Sequence, residues 1–595
     1  MRVADYIPKF LSEKGIKHVF LVTGGGAMFL NDGVAQCKEM TPVCMHHEQA
    51  AAMAAVGYAK RLYTPAFAMF TTGCGGTNAM TGLLNAYQDN IPCIFVSGQV
   101  KRKEASALKN VPLRQLGVQE ADIVSIVKPI TKYAVVVDNP SDIQYEMQKA
   151  WEIATSGRPG PVWIDIPMDV QGSLIDEKTL RSYTKPEKTK KKYAFEQIIA
   201  RLNNAKRPMV IAGQGIKLSN CRNEFLAFLK KFNVPYVASR LGIDILPSDT
   251  PYFIGRIGTK GDRAGNFAVQ NADYVLALGS RLSVSSTGQE YSLFAREAVV
   301  DVIDIDEFEH QKNTIKIDHF ICADLRDFFA DMQNISSDAG HEQRQQWLQK
   351  CLEWKDKWKV CLPEYEDDSK GINLYKFVDE LSNKLKGAAT VISDAGSAFY
   401  VVSQAMRFAK NQGYVTSGAQ AEMGFSLPAA VGVAFAAEKD EKIVAITGDG
   451  SLQMNIQELQ TLVYLQIPVK LFVWNNDGYL SIRATQKKFF ENSVGTDSSN
   501  GVSFPDLQKL CGAYGLKYIA MKKISEMDSQ FDEIFDYDGP VVCELFSQRD
   551  QAIIPAVSAL RKEDGTLVSK PLEDMFPFLS REEFLENMIV KPMEE

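Results

Sequence analysis

Residues 442–451, KIVAITGDGS, and residues 469–477, VKLFVWNND, contain the pattern that decides how this chain is built. The first run is apolar and β-branched until it reaches two glycines, so it predicts a strand that stops at a tight turn before a helix. The second run is also apolar and ends at two asparagines. The interval from Asp449 to Asn476 suits a β-α-β crossover, which brings the ends of two parallel strands to one edge of a sheet.

The side chains at these two strand ends predict a magnesium-diphosphate site. Asp449 offers a carboxylate ligand and Asn476 an amide oxygen, both of the hard type that Mg²⁺ prefers. Gly448 and Gly450 leave room for backbone amides to approach phosphate oxygens, and Ser451 adds a hydroxyl at the start of the next helix. A single Gly-Asp-Gly is most often an ordinary turn, so the prediction depends on the spaced pair.

The same alternation of strand and helix patterns extends outward along the chain. Helical spacing over residues 3–11 is followed by a strand and a glycine loop, and further apolar strands occur at 65–72 and 91–98. A chain of 595 residues exceeds a single hydrophobic core. Alternating elements predict an α/β protein with three doubly wound parallel-sheet domains. We place these domains at 1–181, 193–336 and 367–549, with a linker at 182–192 and a C-terminal tail at 550–595.

Bulk composition is that of an ordinary globular enzyme. The net charge is −7, and no dense basic tract occurs beyond residues 185–192, so a nucleic-acid partner is not indicated. The ten cysteines contain no Cys-X-X-Cys pair, which favours reduced thiols over disulfides or structural zinc. No apolar stretch reaches the roughly 18 residues of a transmembrane helix. We therefore expect a soluble, cytoplasmic protein with no membrane partner.

The Gly-Asp-Gly-Ser segment followed by Asn-Asn resembles the diphosphate-anchoring motif of thiamine diphosphate enzymes. Similarity to the acetolactate synthase family extends over nearly the whole chain, including residues 158–171. The resemblance implies thiamine diphosphate and Mg²⁺ as cofactors, with Asp449, Asn476 and the carbonyl of Gly478 as metal ligands. It also implies that the three domains are, in chain order, pyrimidine-binding, central and diphosphate-binding.

Residues 46–59 resemble the cofactor-activating helix of this family. The resemblance implies that Glu48 bonds the aminopyrimidine ring of the cofactor, which requires a carboxyl group held in an apolar pocket. It also places Gln119 and the loop residues Gly25 and Gly26 beside the reacting groups. Taken alone, Glu48 is more typical of a carboxylate that flanks or caps a helix.

Met423 matches the family methionine that props the cofactor into its V shape. Most methionines are core residues, so this assignment depends on the surrounding motif. The resemblance assigns the remaining cofactor contacts to Thr72, Asn78, Gly396, Ser397, Ala398, Ala421, Gly448, Gly450, Ser451, Tyr479, Leu480 and Ile482.

The chain departs from acetolactate synthases where that family holds its substrates and FAD. The second arginine of the middle-domain motif is Ser285 here, and the tryptophan that selects the acceptor corresponds to Thr485. The acceptor pocket is therefore expected to differ. Some polar contacts to FAD are replaced by serines while others are retained, which leaves FAD open as a further cofactor; the retained residues are Arg281, Asp304 and Asp306.

The resemblance implies a carboligase that decarboxylates a 2-oxo acid, with pyruvate as the first candidate, and transfers the two-carbon unit to a carbonyl acceptor. The region after residues 97–99 lacks the histidine pair of pyruvate decarboxylases, which disfavours simple release of an aldehyde. The pattern at residues 479–483 resembles enzymes that act on keto sugars, and the basic insertion at 101–112 could attract a phosphate-bearing acceptor or be a solvated loop. A simple 2-oxo acid decarboxylase and a non-catalytic cofactor-binding protein stay open as alternatives.

The positions of the motifs also predict an oligomer. Glu48 lies in the first domain and Asp449 in the third, and the family arrangement brings these two domains together across a subunit interface. The resemblance therefore implies a homodimer or homotetramer with its active sites at the interface.

Overall fold

The computed structural model describes residues 1–106, 109, 111–187, 192–333, 335, 340–490, 492–561 and 567–593. These residues contain three six-stranded parallel sheets with flanking helices, which confirms the predicted α/β fold class. The strands are short apolar runs, as expected where helices cover both faces of a parallel sheet. For example, all five residues of Ala66–Phe70 are buried.

The N-terminal sheet has the strand order β2-β1-β3-β4-β6-β5. Its strands are β1 His18–Leu21, β2 Thr41–Cys44, β3 Ala66–Phe70, β4 Cys93–Gln99, β5 Tyr133–Val136 and β6 Val162–Pro167. The order reverses between β1 and β3, so the loops after these two strands diverge and leave a crevice at the carboxyl edge. The helices of this part are α1 Val3–Glu13, α2 Met28–Gln36, α3 Glu48–Leu62, α4 Cys74–Asn78, α5 Met80–Gln88, α6 Ile123–Val127, α7 Ile143–Thr155 and α8 Met168–Gln171.

The central sheet has a different order, β12-β11-β10-β7-β8-β9. Its strands are β7 Pro208–Ala212, β8 Tyr236–Ala238, β9 Phe253–Arg256, β10 Tyr274–Leu278, β11 Val299–Asp304 and β12 His319–Cys322. This is the order of nucleotide-binding doubly wound folds, with the reversal between β7 and β10. The helices are α9 Phe195–Asn204, α10 Gly215–Leu218, α11 Arg222–Phe232, α12 Arg263–Gln270, α13 Val284–Thr287, α14 Leu325–Met332 and α15 His341–Lys357.

The C-terminal sheet has the order β14-β13-β15-β16-β18-β17, which repeats the pattern of the N-terminal sheet. Its strands are β13 Ala389–Ser393, β14 Gln412–Thr416, β15 Lys442–Gly448, β16 Val469–Asn475, β17 Lys517–Met521 and β18 Val541–Phe546. The helices are α16 Leu374–Lys384, α17 Gly396–Ala405, α18 Ser426–Ala436, α19 Asp449–Leu452, α20 Leu459–Leu465, α21 Leu480–Phe489, α22 Leu507–Tyr514 and α23 Met527–Asp536.

The C-terminal tail packs back onto the central domain. It contains two short antiparallel ribbons and one helix, β19 Ala556–Val557, β20 Ala559–Arg561, β21 Leu567–Ser569, β22 Met575–Phe576 and α24 Arg581–Asn587. The carboxylate of Glu573 is fully buried, where it accepts from Gln270 at 2.6 Å and pairs with Arg296 at 2.7 Å. A charged tail therefore becomes part of a folded domain.

Helices α3 and α18 join the N-terminal and C-terminal domains through direct backbone contact. A Cβ added at Gly432 would lie 1.8 Å from the carbonyl oxygen of Ala54, and one added at Gly57 would lie 2.5 Å from that of Ala429. Only glycine fits at either position. The two helices share one hydrophobic core, so the two sheets are packed back to back through them.

The domain boundaries at 1–181, 193–336, 367–549 and 550–595 stay predictions. Parts of the predicted linker, the end of the central domain, the insertion at 101–112 and the tail lie outside the described residues, namely 188–191, 334, 336, 107, 108, 110, 562–566, 594 and 595. Within the part of the chain that is described, we find no helix that combines the length and the apolar character required to span a bilayer.

Candidate active site

The carboxyl edge of the N-terminal sheet carries Glu48 at the first turn of α3. His47 caps this helix, since its Nδ1 accepts from the amide of Gln49 at 3.0 Å. The Glu48 side chain is buried to 9 % exposure, and its Oε2 accepts from Nδ2 of Asn78 at 3.0 Å. Buried alanines line the next turns of α3, so the carboxyl group lies at the end of an apolar helix, as its predicted role requires.

Two loops at the same edge surround Glu48. The amide of Gly26 donates to Oγ1 of Thr71 at 3.1 Å, and the neighbouring Thr72 donates to Oε1 of Gln99 at 2.8 Å. Gly25 is exposed beside them. The structure thus brings the predicted residues of the N-terminal domain together at one sheet edge, although the strands that carry them are far apart in sequence.

Gln119 joins this group through a close backbone crossing. A Cβ at Gly73 would lie 2.2 Å from the carbonyl oxygen of Gln119, and Gly73 has a φ of +65° that glycine tolerates best. Gln119 itself has a φ of +61°, which is unusual for a residue with a side chain. Gln99 holds the same loop, since its Nε2 donates to the Ala121 carbonyl at 2.8 Å. The loop is therefore fixed above Thr72.

Asp449 lies at the corresponding edge of the C-terminal sheet. Its Oδ2 accepts from the amides of Asn476 at 3.2 Å and Gly478 at 3.0 Å, and its Oδ1 accepts from the amide of Gly450 at 2.8 Å. Burial raises the pKa of Asp449 to about 6, although these amide bonds oppose the shift. The three predicted metal ligands thus meet in one small cradle.

The cradle also contains an oxygen with no partner. Oδ1 of Asn476 is buried and, among the described residues, receives no hydrogen bond. An unsatisfied buried amide oxygen is costly unless a ligand completes it. Carboxylate, amide and carbonyl oxygens together form the donor set that Mg²⁺ takes, so the residues fit this ion.

The other side of the cradle is built around a buried carboxylate, Asp394. Its Oδ2 accepts from Oγ of Ser451 at 2.7 Å and from Oγ1 of Thr447 at 2.8 Å. Ser451 in turn accepts from the amide of Gly424 at 2.8 Å. Burial raises the pKa of Asp394 to about 6. The glycine turn at Gly396 has a φ of +60° and starts α17, whose first residues Ser397 and Ala398 are buried at the same edge.

The remaining predicted cofactor residues flank this cradle. A Cβ at Gly450 would lie 2.3 Å from Cε1 of Tyr479, so the ring packs directly on the glycine turn. Leu480 is buried, whereas Ile482 is 51 % exposed and Met423 is 36 % exposed. Gly448 has open space at its Cα, and Ala421 has a φ of +47°. The apolar side chains of Ile482 and Met423 are thus exposed to solvent beside a polar cradle.

Three family models match this chain in succession. They describe the N-terminal TPP binding domain, the central domain and the C-terminal TPP binding domain of thiamine pyrophosphate enzymes, at residues 1–126, 195–332 and 394–545. The isozyme 3 acetolactate synthase large subunit of Escherichia coli is 31 % identical over 90 % of this chain and 92 % of its own length. The large subunits of Haemophilus influenzae and Lactococcus lactis are 29 % and 30 % identical, covering 96 % and 92 % of this chain and 99 % and 93 % of their own lengths.

This chain belongs to the acetolactate synthase large-subunit family of thiamine diphosphate enzymes. The predicted family and the predicted thiamine diphosphate are therefore confirmed. The first family model contains Glu48 and the third contains Asp449. We call the surroundings of Glu48 the N-terminal half-site and those of Asp449 the C-terminal half-site. The roles of individual residues and the metal stay predictions.

In this family member the two half-sites face different directions within one chain. Sδ of Met53 lies 3.5 Å from Nδ2 of Asn455, which donates to the carbonyl of Gly424 at 2.8 Å. The Asp449 cradle of the same chain is therefore on the Met53 face of α3. Residues five apart in a helix differ by about 140° around its axis, so Glu48 points elsewhere, towards Asn78.

Arg483 supports the candidate site, although the sequence predicted no such role for it and included it only in the pattern at residues 479–483. It is almost fully buried in α21, where its guanidinium donates to the carbonyls of Asn476 at 3.0 Å and Asp477 at 3.1 Å. It also pairs with Asp550 at 2.8 Å. Arg483 thus fixes the backbone of the loop that carries the predicted metal ligands Asn476 and Gly478. Its place seven residues after Asn476 was the available signal.

The central domain of this enzyme contains a cavity of about 990 Å³ at the reversal between β7 and β10. Arg281, Asp304 and Asp306, the retained FAD contacts of the family, line it together with Ser283 and Ser285. Arg158 of the N-terminal domain pairs with Asp306 at 2.7 Å. Residues 418–421 of the C-terminal domain form the other end of this cavity. The cavity therefore extends from the central sheet to the C-terminal domain.

Proposed function

We propose that this protein is a thiamine diphosphate- and Mg²⁺-dependent carboligase, which decarboxylates pyruvate and transfers the two-carbon unit to a carbonyl acceptor. The observation that carries the proposal is the buried cradle at Asp449, whose carboxylate accepts from the backbone amide of Asn476, while the side-chain oxygen of Asn476 has no hydrogen-bond partner among the described residues. A metal and a diphosphate complete this cradle chemically. Family membership supports the cofactor, and Glu48 at the opposite half-site supports catalysis over passive binding.

Each half-site has a separate task in this proposal. Asp449, Asn476 and the Gly478 carbonyl would hold Mg²⁺, the turn at Gly450 and Ser451 would face the diphosphate, and Met423 would pack against the cofactor. Glu48, which is buried, would hold and exchange the proton that the aminopyrimidine ring requires. Bound thiamine diphosphate supplies the carbon nucleophile and the electron sink, and the protein supplies placement and electrostatics.

Ligation is favoured over aldehyde release because proton donors are scarce at the N-terminal half-site. The chain has six histidines, and the N-terminal domain has none beyond His47. His47 caps α3, and Nδ1 of His46 lies 3.1 Å from Oγ1 of Thr461, so both already have structural partners. We infer that a second carbonyl, rather than a proton, ends the reaction.

We propose a keto sugar as the acceptor. The two positions at which acetolactate synthases select their second 2-oxo acid hold small polar residues here, Ser285 and Thr485. Ser285 lines the central cavity, and Thr485 is exposed on α21. Loss of an arginine and a tryptophan leaves space and hydroxyl groups for a polyhydroxylated substrate.

The active site is completed by a second copy of the chain. Glu48 faces away from its own diphosphate half-site, and both half-sites carry exposed apolar side chains that an interface would cover; these are Leu113, Leu116, Val118, Met423, Met454, Ile482 and Phe489. We therefore propose a homodimer, or a homotetramer built from it, as the active form. All ten cysteines are free, which agrees with the proposed cytoplasmic location.

The decisive experiment incubates the enzyme with pyruvate, thiamine diphosphate, Mg²⁺ and a panel of ketone acceptors. We expect carbon dioxide and a new carbon-carbon product in equal amounts. Stoichiometric free acetaldehyde without any ligation product would instead identify the alternative, a simple 2-oxo acid decarboxylase.

Replacing Glu48 tests the alternative of a non-catalytic cofactor-binding protein. Glu48→Gln should abolish carbon dioxide release while thiamine diphosphate still binds, because the diphosphate half-site is intact. Glu39→Gln, an exposed glutamate of the same domain, is the matched control and should retain activity. Full turnover by Glu48→Gln would rule out the catalytic assignment.

FAD is the further cofactor to be tested in the central cavity, where the retained residues line one end. The visible spectrum of the purified protein decides it, because bound flavin is yellow and is released on denaturation.

A further inference from the structure

The side chain of Gln99, at the end of β4, joins two loops of the N-terminal half-site. Its Oε1 accepts from Oγ1 of Thr72 at 2.8 Å, in the loop after β3. Its Nε2 donates to the carbonyl of Ala121 at 2.8 Å, in the loop that carries Gln119. Gln99 is buried to 7 % exposure, so both loops are tied to one side chain inside the domain.

A third loop meets the same strand one residue earlier. A Cβ added at Gly98 would lie 2.1 Å from the carbonyl oxygen of Gly26, so the glycine loop after β1 lies directly on β4. Nε2 of Gln171 donates to the same carbonyl at 2.8 Å. The end of β4 is therefore the common support of the loops that surround Glu48.

The backbone fixes which way the amide of Gln99 points. The amide of Val100 donates to Oε1 of Gln99 at 3.0 Å, and the carbonyl of Ala121 accepts from Nε2. A backbone N–H can only donate and a carbonyl can only accept, so the oxygen and the nitrogen of this side chain cannot exchange places. The hydroxyl of Thr72 must therefore be the donor in its bond to Gln99.

A buried carboxyl group holds the nitrogen side of this amide. Oδ2 of Asp165, at the end of β6, accepts from Nε2 of Gln99 at 3.0 Å. Its Oδ1 accepts from Oγ of Ser97 at 2.5 Å, and that hydroxyl accepts from Nε1 of Trp163 at 2.8 Å. Asp165 and Ser97 are each 1 % exposed, and Trp163 is fully buried.

The position of Asp165 is not explained by charge pairing. Within the part of the chain that the structure describes, no lysine or arginine forms an ion pair with this carboxyl group, and burial raises its pKa to about 7. A carboxyl group buried without a cation costs stability. Its two hydrogen bonds therefore favour a role in holding Gln99 over a role in stabilising the fold.

The loop held through Thr72 leads directly to the partner of Glu48. Thr72 is followed by α4, whose last residue Asn78 donates to Oε2 of Glu48 at 3.0 Å. A Cβ added at Gly75 would lie 3.7 Å from Oε1 of Glu48. A shift of Thr72 would therefore change the surroundings of the Glu48 carboxyl group.

We propose that Asp165 is a positioning residue of the active site, which acts through Gln99. It fixes the side-chain amide of Gln99, and Gln99 in turn holds Thr72 and the Gln119 loop at their places beside Glu48. This inference rests on the proposed function, in which Glu48 and Gln119 lie at the reacting groups.

Asp165→Leu removes the acceptor while keeping a side chain of similar size. Amide hydrogen exchange of the cofactor-free protein, followed by mass spectrometry, should become faster in peptides covering residues 71–78 and 113–123, because both loops lose part of their support. In the loaded enzyme, kcat for carbon dioxide release should fall roughly ten- to a hundredfold, since a displacement of about 1 Å can cost this much. If Asp165→Leu does not fold, Asp165→Ala takes its place.

Two variants separate positioning from stability. Asp165→Asn should keep the slow exchange of both loops and most of kcat, because its amide oxygen still accepts from Gln99. Ser97→Ala removes the other bond of Asp165 and leaves Nε1 of Trp163 without its acceptor. We expect Ser97→Ala to lower Tm with kcat unchanged, since Gln99 keeps its acceptor.

A double-mutant cycle tests whether Asp165 acts through Gln99. Gln99→Met should lower kcat by a factor similar to that of Asp165→Leu. The double variant should be no less active than Gln99→Met alone, because residues of one hydrogen-bond chain are not additive. Additive losses of kcat would mean that Asp165 acts by another route.

Two further results would overturn the proposal: unchanged exchange of both loops in Asp165→Leu, or equal losses of kcat in Ser97→Ala and Asp165→Leu. If the wild-type enzyme releases no carbon dioxide from pyruvate, the proposed function fails. The exchange rates of the two loops, measured without cofactor or substrate, still decide whether Asp165 positions them.

Discussion

The N-terminal and C-terminal sheets have the same strand order, yet their carboxyl edges carry different chemistry. In the N-terminal sheet the loops after β1 and β3 surround one buried carboxyl group, Glu48, with glycine turns and amides. In the C-terminal sheet the loops after β13, β15 and β16 assemble the oxygen-rich cradle of Asp449 and Asn476. The shared topology provides an open crevice at the same place, and the loop residues decide what the crevice binds.

The largest effect is expected in a test of whether the Glu48 edge of one chain and the Asp449 edge of another chain form one active site. Glu48→Gln and Asp449→Ala should each be inactive alone. Co-expressed in equal amounts they should recover about a quarter of wild-type activity, because half of randomly paired dimers are mixed and each mixed dimer has one intact site. Carbon dioxide release from pyruvate by the co-purified dimers is the measurement.

Two variants of the same edge are the control for this experiment. Asp449→Ala co-expressed with Asp449→Asn should recover no activity, since no pairing restores the Asp449 carboxylate to a cradle. Absence of recovery in the Glu48→Gln and Asp449→Ala mixture would place both half-sites of one active site in a single chain.

A smaller effect separates the metal edge from the carboxyl edge. Asn476→Ala should raise the Mg²⁺ concentration for half-maximal activity by at least about tenfold, since even residues that only orient a ligand change metal affinity this much. The Tm of the metal-free protein should hardly change, because the lost oxygen has no partner in the described residues. Asn475→Ala is the comparison: Nδ2 of Asn475 donates to Glu544 at 2.6 Å, so this change should lower Tm instead.

The contact between the two halves can be broken separately from either site. Gly432→Ala should destabilise the protein by about 1–3 kcal/mol, because its methyl group has no space against the Ala54 backbone. Gly512→Ala in α22 is the matched control, since a Cβ there meets nothing within 4 Å and alanine favours a helix. Denaturant unfolding of both variants tests this, and equal stability would mean that α3 and α18 are not in backbone contact.

The smallest expected effect concerns pH and the N-terminal edge alone. Asp165 is buried beneath it, accepting from Oγ of Ser97 at 2.5 Å and Nε2 of Gln99 at 3.0 Å, and burial raises its pKa to about 7. An unfolded aspartic acid titrates near 4, so between about pH 4 and 7 the folded chain keeps a proton that the unfolded chain has released. This residue's contribution to stability therefore falls as pH rises through that range.

Asp165→Asn removes this titration. The Tm of the variant minus that of the wild type should become more positive from pH 5 to pH 8, measured by thermal unfolding. A pH-independent difference would mean that Asp165 is ionised throughout. Asp169→Asn is the control, since its carboxylate pairs with Arg102 near the surface and its pKa is lowered rather than raised.

Much of the C-terminal half could be predicted from local sequence. The apolar runs at 442–448 and 469–475 form β15 and β16 at those positions, because a buried parallel strand needs little more than apolar side chains bounded by turn residues. Asp449 and Asn476 meet because parallel neighbours end at the same edge. Asp394 and Arg483 were missed, since a carboxylate and an arginine near a motif are common and only burial distinguishes these two.

The sequence by itself determined the α/β class, the family and the identity of the residues at each edge, since those depend on local periodicity and on short motifs. Tertiary structure decided which way these residues face. The direction of Glu48 depends on α3 packing against α18, and the stacking of Arg240 of the central domain on Phe399 depends on a helix of another domain. Neither contact has a local sequence pattern, because each joins residues that are distant in the chain.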